Sequence, residues 1–365
     1  MSDENLKARC TIDLSFPFHN SETPAEKLRA LADYMEAEGH KAEMYHGGDQ
    51  TKALEDKVAD LLGKPAAMWC PSGTMAQGIA AKLYARATGS NRILLHPTSH
   101  LELHEEKGYR EIHGLEAQMI GELDRTLTAD DLVDGAACAF VELPQRHNGG
   151  AMPSWSALEA IKERARKLSL PLHMDGARLW TARDYYDGRT YAEITAGFSS
   201  VYVSFYKDIG ALGGAILAGD EAFITEARLL MAGMGGRLVS PWPIVSDSLR
   251  LLDKRLEQIP DFIARAKRLA KALSAVEGLK ISPYPPQSNQ MHLRFACDAK
   301  TFAKARNIAA RQTGVWLAKG VWSLEGEHVS SMELTVGERL LDYPDKKIVD
   351  AVKIVMDEIQ ISRTR

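Results

Sequence analysis

His173-Met174-Asp175-Gly176-Ala177-Arg178, followed 32 residues after Asp175 by Ser204-Phe205-Tyr206-Lys207, decides how this chain reads. The first stretch is the end of an apolar strand that closes in an acid. The second continues the apolar run Val201-Tyr202-Val203 and leads into a glycine-rich turn. Taken singly, an Asp after a strand is a helix cap and a Lys after a strand is solvated. Taken together, they supply the groups that hold pyridoxal 5'-phosphate (PLP). A partly buried amine such as Lys207 can lose its proton and hold an aldehyde as a Schiff base. A carboxylate such as Asp175 can keep a pyridine nitrogen protonated, so that the ring accepts the electrons of a bond broken at a substrate α carbon. Ser204 offers a hydroxyl to the phosphate.

A phosphate also needs a cradle, and Pro71-Ser72-Gly73-Thr74 stands where a short buried strand turns into a helix. A helix N-terminus presents unpaired N–H groups and the positive end of a dipole, and glycine lets an anion come close. Alone, the same turn is an ordinary cap in which Ser72 or Thr74 satisfies those donors. The conjunction with Asp175 and Lys207 favours the phosphate.

With 365 residues and 45% hydrophobic content, the chain can bury a large core and form one large and one smaller domain. A net charge of -4, with basic residues spread through the helices, gives no electrostatic reason to expect nucleic acid. No apolar run approaches the about eighteen residues of a membrane span. Met1-Ser2-Asp3-Glu4-Asn5 is polar and acidic, unlike a signal peptide. Cys10, Cys70, Cys138 and Cys297 lie far apart with no C-x-x-C pair, as in a reduced cytoplasmic protein without a structural zinc.

The order of elements is that of an α/β protein. Residues 11–20 read as an extended arm and Pro24 to Glu38 as a helix. Strands are expected at Ala66 to Cys70, Arg92 to Leu95, Ala117 to Ile120, Ala137 to Glu142, Pro171 to Met174 and Val201 to Val203, alternating with amphipathic helices such as Met75 to Arg86 and Ser154 to Leu168. This alternation predicts a mainly parallel sheet covered by helices, with ligands at the carboxyl ends of its strands. Beyond Pro241-Trp242-Pro243 two helices, Ile244 to Leu256 and Phe262 to Val276, precede a small sheet of Leu279 to Pro283, Met291 to Phe295, Gly314 to Leu317 and Met332 to Val336, then a last helix from Lys346 to Ile359. The expected division is an N-terminal arm over 1–20, a large PLP-binding domain over 21–243 and a small α+β domain over 244–365.

The order of the motifs resembles that of the fold-type I PLP enzymes of the threonine aldolase and beta-eliminating lyase family. The likeness runs from Tyr45 to about Arg237. It rests on Pro71-Ser72-Gly73-Thr74, on Ser99-His100-Leu101 through Glu105, and most specifically on Asp175-Gly176-Ala177-Arg178-Leu179. It implies the PLP-dependent transferase fold, with His100 stacked on the pyridine ring, Arg178 on the substrate carboxylate and Lys207 joined to the cofactor. Arg237, closing Gly235-Gly236-Arg237, is similarly implied in a phosphate or carboxylate contact. The implied catalytic residues are Lys207, His100 and Asp175. The implied cofactor-binding set is Ser72, Gly73, Thr74, His100, Asp175, Arg178, Ser204, Lys207 and Arg237. The activity implied is cleavage of the Cα–Cβ bond of a β-hydroxy-L-amino acid to glycine and an aldehyde, in a homodimer or homotetramer.

Three departures from the family's pattern bear on the substrate rather than the cofactor. Phe16 stands where the family has an active-site serine, and Gln145 is the best counterpart of a histidine that assists deprotonation. Met332 falls where a second carboxylate-binding arginine is expected, so a bidentate anchor is missing. The base is therefore open among His100, His104, His147 and water. His96, His100 and His104 recur at spacings of four, as metal ligands on one helix would. Pro97 interrupts that face, so no metal is expected, and His96 and His104 are expected at the surface. Phe16 and Phe18 read as packing residues. Two other readings stay open: a PLP enzyme that removes an α proton, either a beta-eliminating lyase or an aminotransferase, and a non-catalytic PLP-fold protein, against which the set Lys207, Asp175 and Arg178 stands.

Overall fold

Runs that are apolar at every position, rather than at alternate ones, form strands buried on both faces. In the computed structural model, which describes residues 2–15, 19, 22–45, 47–323 and 329–364, such runs build a seven-stranded sheet. Its strands are β1 (Ala66–Cys70), β2 (Arg92–Leu95), β3 (Glu116–Met119), β4 (Cys138–Glu142), β5 (Leu172–Gly176), β6 (Ser200–Ser204) and β7 (Ala215–Gly219), in the spatial order β1-β7-β6-β5-β4-β2-β3. Strands β5, β6 and β7 are buried throughout, while β3 at the edge is not. The pairs from β6 across to β3 are parallel, and β7 runs antiparallel to both β6 and β1. Strand β1 therefore points the same way as β6.

Local signals explain the helices that flank the sheet. Thr23 and Glu26 form a reciprocal capping box with Pro24 in the first turn, and Gly39 adopts the left-handed conformation at the other end, which bounds the helix Pro24–Glu38 as expected. The helix Gly73–Thr88 packs on the sheet through Ala76, Ile79, Ala80 and Leu83.

The chain divides into two compact units, residues 22–145 with 152–258, and residues 1–21 with 146–151 and 259–365. The second unit carries a four-stranded antiparallel sheet of Trp322–Ser323, Ser330–Thr335, Gln290–Phe295 and Lys280–Ser282. In its register Met291 pairs with Leu334 and Leu293 with Met332, and all four are buried. Among the described residues no helix is long and apolar enough to cross a membrane.

Several elements differ from expectation. The two helices expected after Pro243 are one, Trp242–Leu273, continuing through Pro260 because Ile259, Phe262, Ile263 and Ala266 keep an apolar face buried across the proline. The expected domain boundary lies at the start of this helix, whereas the division between the units falls within it, after Gln258. Val315–Trp316 joins the N-terminal arm rather than the small sheet, pairing in parallel with Ile12–Asp13. A short helix, Asp3–Lys7, precedes that arm. Strand β7 has no counterpart among the expected strands. Phe16 and Phe18 lie outside the described residues.

At the amino ends of β5 and β6 lies a buried polar chain. The Tyr84 hydroxyl donates to Ser200 Oγ at 2.7 Å, and Ser200 Oγ meets His173 Nδ1, also at 2.7 Å. Burial pushes the His173 imidazole down from 6.5 to about 3. The folded state thus keeps a neutral ring while the unfolded chain binds a proton below about pH 6.5, so stability is full above that value and is lost as pH falls toward the folded pKa. Between about pH 7 and pH 5.5, urea unfolding of the native protein is expected to lose about 1 kcal/mol more than unfolding of His173→Asn. Parallel pH slopes for the two proteins would refute this.

Candidate active site

Six strands deliver their carboxyl ends to one edge of the sheet, because all but β7 run in the same sense, and five of them lead to candidate residues. Strand β1 leads to Ser72-Gly73-Thr74, β2 to His96 and His100, β4 to Gln145, β5 to Asp175 and Arg178, and β6 to Ser204 and Lys207. Register tightens this grouping. Cys70 and Ser204 both pair with Ala215, Asp175 pairs with Tyr202, and Glu142 pairs with Asp175.

At the first turn Ser72 caps the helix Gly73–Thr88, accepting from the Met75 N–H at 3.3 Å. Gly73 is required by contact rather than by torsion, since a Cβ there would lie 2.0 Å from Tyr202 Oη. Its N–H donates to Tyr206 Oη at 3.3 Å, and the hydroxyls of Tyr206 and Tyr202 lie 3.1 Å apart. Thr74 is exposed.

Asp175 is 3% exposed and accepts from the Ala177 N–H at 3.2 Å. Burial pushes its carboxyl up, the charges of His100 and Lys207 oppose that shift, and Glu105 adds to it. His100 Nδ1 sits 3.1 Å from Glu105 Oε1, which Gln77 Nε2 approaches at 3.4 Å. A proton on Nδ1 shared with the carboxylate leaves Nε2 as the acceptor of that ring. His104 is exposed and lies 4.9 Å from the His100 ring.

Arg178 is 7% exposed, yet its Nε has no hydrogen-bond partner. A buried cation with an unused donor is costly and suits an anionic ligand. Together with the helix N-terminus at the Ser72-Gly73-Thr74 turn and the buried acid, this unused donor fits a cofactor carrying a phosphate and a pyridine nitrogen, with a carboxylate-bearing substrate beside it.

The turn holding Lys207 is fixed by charged side chains from distant helices. The Phe205 N–H donates to the Gly214 carbonyl at 3.1 Å and the Ala211 N–H to the Phe205 carbonyl at 2.8 Å. Lys27 donates to the Gly210 carbonyl at 2.7 Å, Arg255 to the Ile209 carbonyl at 3.2 Å, and Asp247 accepts from the Leu212 N–H at 2.8 Å. Lys207 Nζ itself lies 5.5 Å from the centre of the Tyr206 ring.

Several expected residues have partners within the protein. The Ser204 hydroxyl donates to the Ala177 carbonyl at 2.8 Å, which ties β6 to the Asp175 turn. Arg237 is exposed and its contacts are with Tyr45, whose carbonyl accepts from its Nε at 3.2 Å. His96, expected at the surface, is buried at 3%, because Nδ1 meets Thr98 Oγ1 at 2.8 Å and Nε2 meets the Glu122 and Arg125 carbonyls. Gln145 belongs to that network, 2.8 Å from His96 Nδ1 and 3.0 Å from Thr98 Oγ1. His147 lies in the other unit, against the Trp322 ring at 4.5 Å. Met332 is in the apolar layer of its sheet, where an arginine would be buried against Leu293. Among the described residues no group of three His, Cys, Asp or Glu side chains is arranged to hold a metal ion. Tyr206 has no place in the sequence-based site. Its position next to Lys207 was the available signal, but an aromatic after an apolar strand reads as core.

Residues 20–297 match the family model described as Beta-eliminating lyase. The Arabidopsis thaliana protein named probable low-specificity L-threonine aldolase 2 is 28% identical over 74% of this chain and 79% of its own length. The low specificity L-threonine aldolase of Escherichia coli (strain K12) is 30% identical over 57% of this chain and 64% of its own. Among solved structures, a candidate L-allo-threonine aldolase from Listeria monocytogenes EGD-E matches with a TM-score of 0.88 and 32% identity, over 97% of this chain and 99% of that one.

The charged clamp on the Lys207 turn is testable by itself. Asp247 is fully buried and also accepts from Arg250 at 2.7 Å. Asp247→Ala leaves that arginine and the Leu212 N–H without their acceptor, which is expected to cost about 3 kcal/mol in urea unfolding and to speed amide exchange at Leu212. Unchanged exchange there would show that the clamp does not hold the turn.

Proposed function

This chain belongs to the beta-eliminating lyase family, and from that premise we propose that it cleaves the Cα–Cβ bond of a β-hydroxy-L-amino acid, of the threonine or allo-threonine kind, to glycine and an aldehyde. It is a PLP-dependent carbon–carbon lyase of the threonine aldolase type. The observation that carries the substrate reading is the buried, unused Nε donor of Arg178, three residues beyond a buried acid on the ligand edge of the sheet.

PLP, when bound, supplies an electron sink for the pair left on the substrate α carbon. Lys207 Nζ is the amine that would anchor it. Asp175, being buried, would hold a proton on the ring nitrogen, and the turn at Ser72-Gly73-Thr74 would receive the phosphate. Arg178 binds the substrate carboxylate and so orients the Cα–Cβ bond. His100 would lie against the ring, and with Glu105 holding Nδ1–H, its Nε2 would take the proton from the β-hydroxyl. Leu28, Met44, Tyr45 and Val239 leave large apolar side chains exposed, which supports a homo-oligomer; sedimentation at the monomer mass would remove that part of the reading.

Purified protein is expected to show a visible absorbance band that Lys207→Ala lacks, and to release aldehyde and glycine in equal amounts from L-threonine, L-allo-threonine or L-phenylserine. Pyruvate and ammonia, or a keto acid, in place of the aldehyde would move the protein to an α-proton-removing PLP reaction. Arg178→Lys keeps the charge but loses the fork, so KM is expected to rise about tenfold or more with a smaller change in kcat. An unchanged KM would take the carboxylate away from Arg178.

A further inference from the structure

The phosphate turn has a hydroxyl that the reading above leaves unused. Tyr206 Oη receives the Gly73 N–H at 3.3 Å and lies 3.1 Å from Tyr202 Oη. A phenol has one hydrogen to give and two lone pairs to receive with. Tyr202 is fully buried, and Tyr206 Oη is the hydrogen-bond partner found for its hydroxyl. If Tyr206 gave its hydrogen to Tyr202, the Tyr202 hydrogen would be buried unpaired, a costly arrangement. Tyr202 therefore donates to Tyr206. With the Gly73 N–H this fills both acceptor positions of Tyr206 Oη and leaves the Tyr206 hydrogen available at the glycine turn.

Burial pushes both phenols up, so neither ionises near neutral pH and Tyr206 remains a donor. The tyrosine pair is built directly under the turn, since a Cβ on Gly73 would lie 2.2 Å from Tyr202 Cζ. The Tyr206 ring extends from that turn to within 5.5 Å of Lys207 Nζ. One side chain thus reaches both the turn that receives a phosphate and the amine that receives an aldehyde.

Resting on the reading above, we propose that the Tyr206 hydroxyl is the side-chain donor to the cofactor phosphate, in the role first expected of Ser204. Ser204 has already given its hydrogen to the Ala177 carbonyl at 2.8 Å. The donation by Tyr206 requires no new proton and no bond change. It replaces an open donor with a charge-assisted hydrogen bond, the stronger kind.

The test compares PLP with pyridoxal, which lacks the phosphate, as ligands of the apo-protein followed by absorbance. Native protein is expected to prefer PLP strongly. Tyr206→Phe should lower that preference about tenfold or more by weakening PLP and leaving pyridoxal unchanged, while Ser204→Ala leaves the preference intact and Tyr206→His restores part of it. Equal losses for both ligands, or no loss, overturn the proposal. If native protein binds neither ligand, the PLP reading itself fails and this one falls with it. Should Tyr206→Phe not fold, native apo-protein titrated with inorganic phosphate gives the same answer. A saturable tyrosine difference spectrum, absent with chloride at equal ionic strength, supports the donor, and its absence overturns it.

Discussion

Everything at the candidate site depends on one strand that runs against its neighbours. Strand β7 pairs with β1 on one side and β6 on the other, and its Ala215 is level with both Cys70 and Ser204. Two antiparallel steps restore the original direction, so the Ser72 turn leaves the sheet on the same edge as Lys207. Removing β7 from between them would leave no reason for a helix N-terminus and a lysine more than a hundred residues apart to lie at the same edge of the sheet.

The electrostatics of that edge follow from burial. Asp175 would resist ionisation on its own, and His100 and Lys207 draw it back toward the charged form. Glu105 is tied to His100 and Gln77, so its charge is partly spent there. Arg178 is the exception to this pairing, a buried cation whose Nε has found no acceptor. A site that satisfies its acids internally and leaves a donor open is suited to anions rather than to metal ions or cationic ligands.

Much of this was legible in the sequence, for an identifiable reason. The strands that carry Ser72, His100, Asp175 and Lys207 are short runs of buried residues, and their ends coincide with the motifs, so residue type and position were readable together. The failures have physical causes as well. Strand β7 follows a turn rich in glycine, where chain flexibility hides a five-residue strand. Pro260 has the usual mark of a helix end, but the apolar face continues across it and packing prevails. The hydrogens of Ser204 and Tyr206 cannot be assigned from residue type, because both are hydroxyls near the right place. Only the partners decide, a carbonyl for Ser204 and a second phenol with a glycine N–H for Tyr206. His96 looked solvated because its carbonyl partners, Glu122 and Arg125, lie well downstream.

The clamp on the Lys207 turn also bears on when the site can exist during synthesis. Lys27 closes on Gly210 across 183 residues, Asp247 on Leu212 across 35, and Arg255 on Ile209 across 46. The last two contacts come from a helix translated after the lysine. Until that helix has packed, the turn has only its own backbone bonds and the Lys27 contact, so its final form depends on residues as far along the chain as 255.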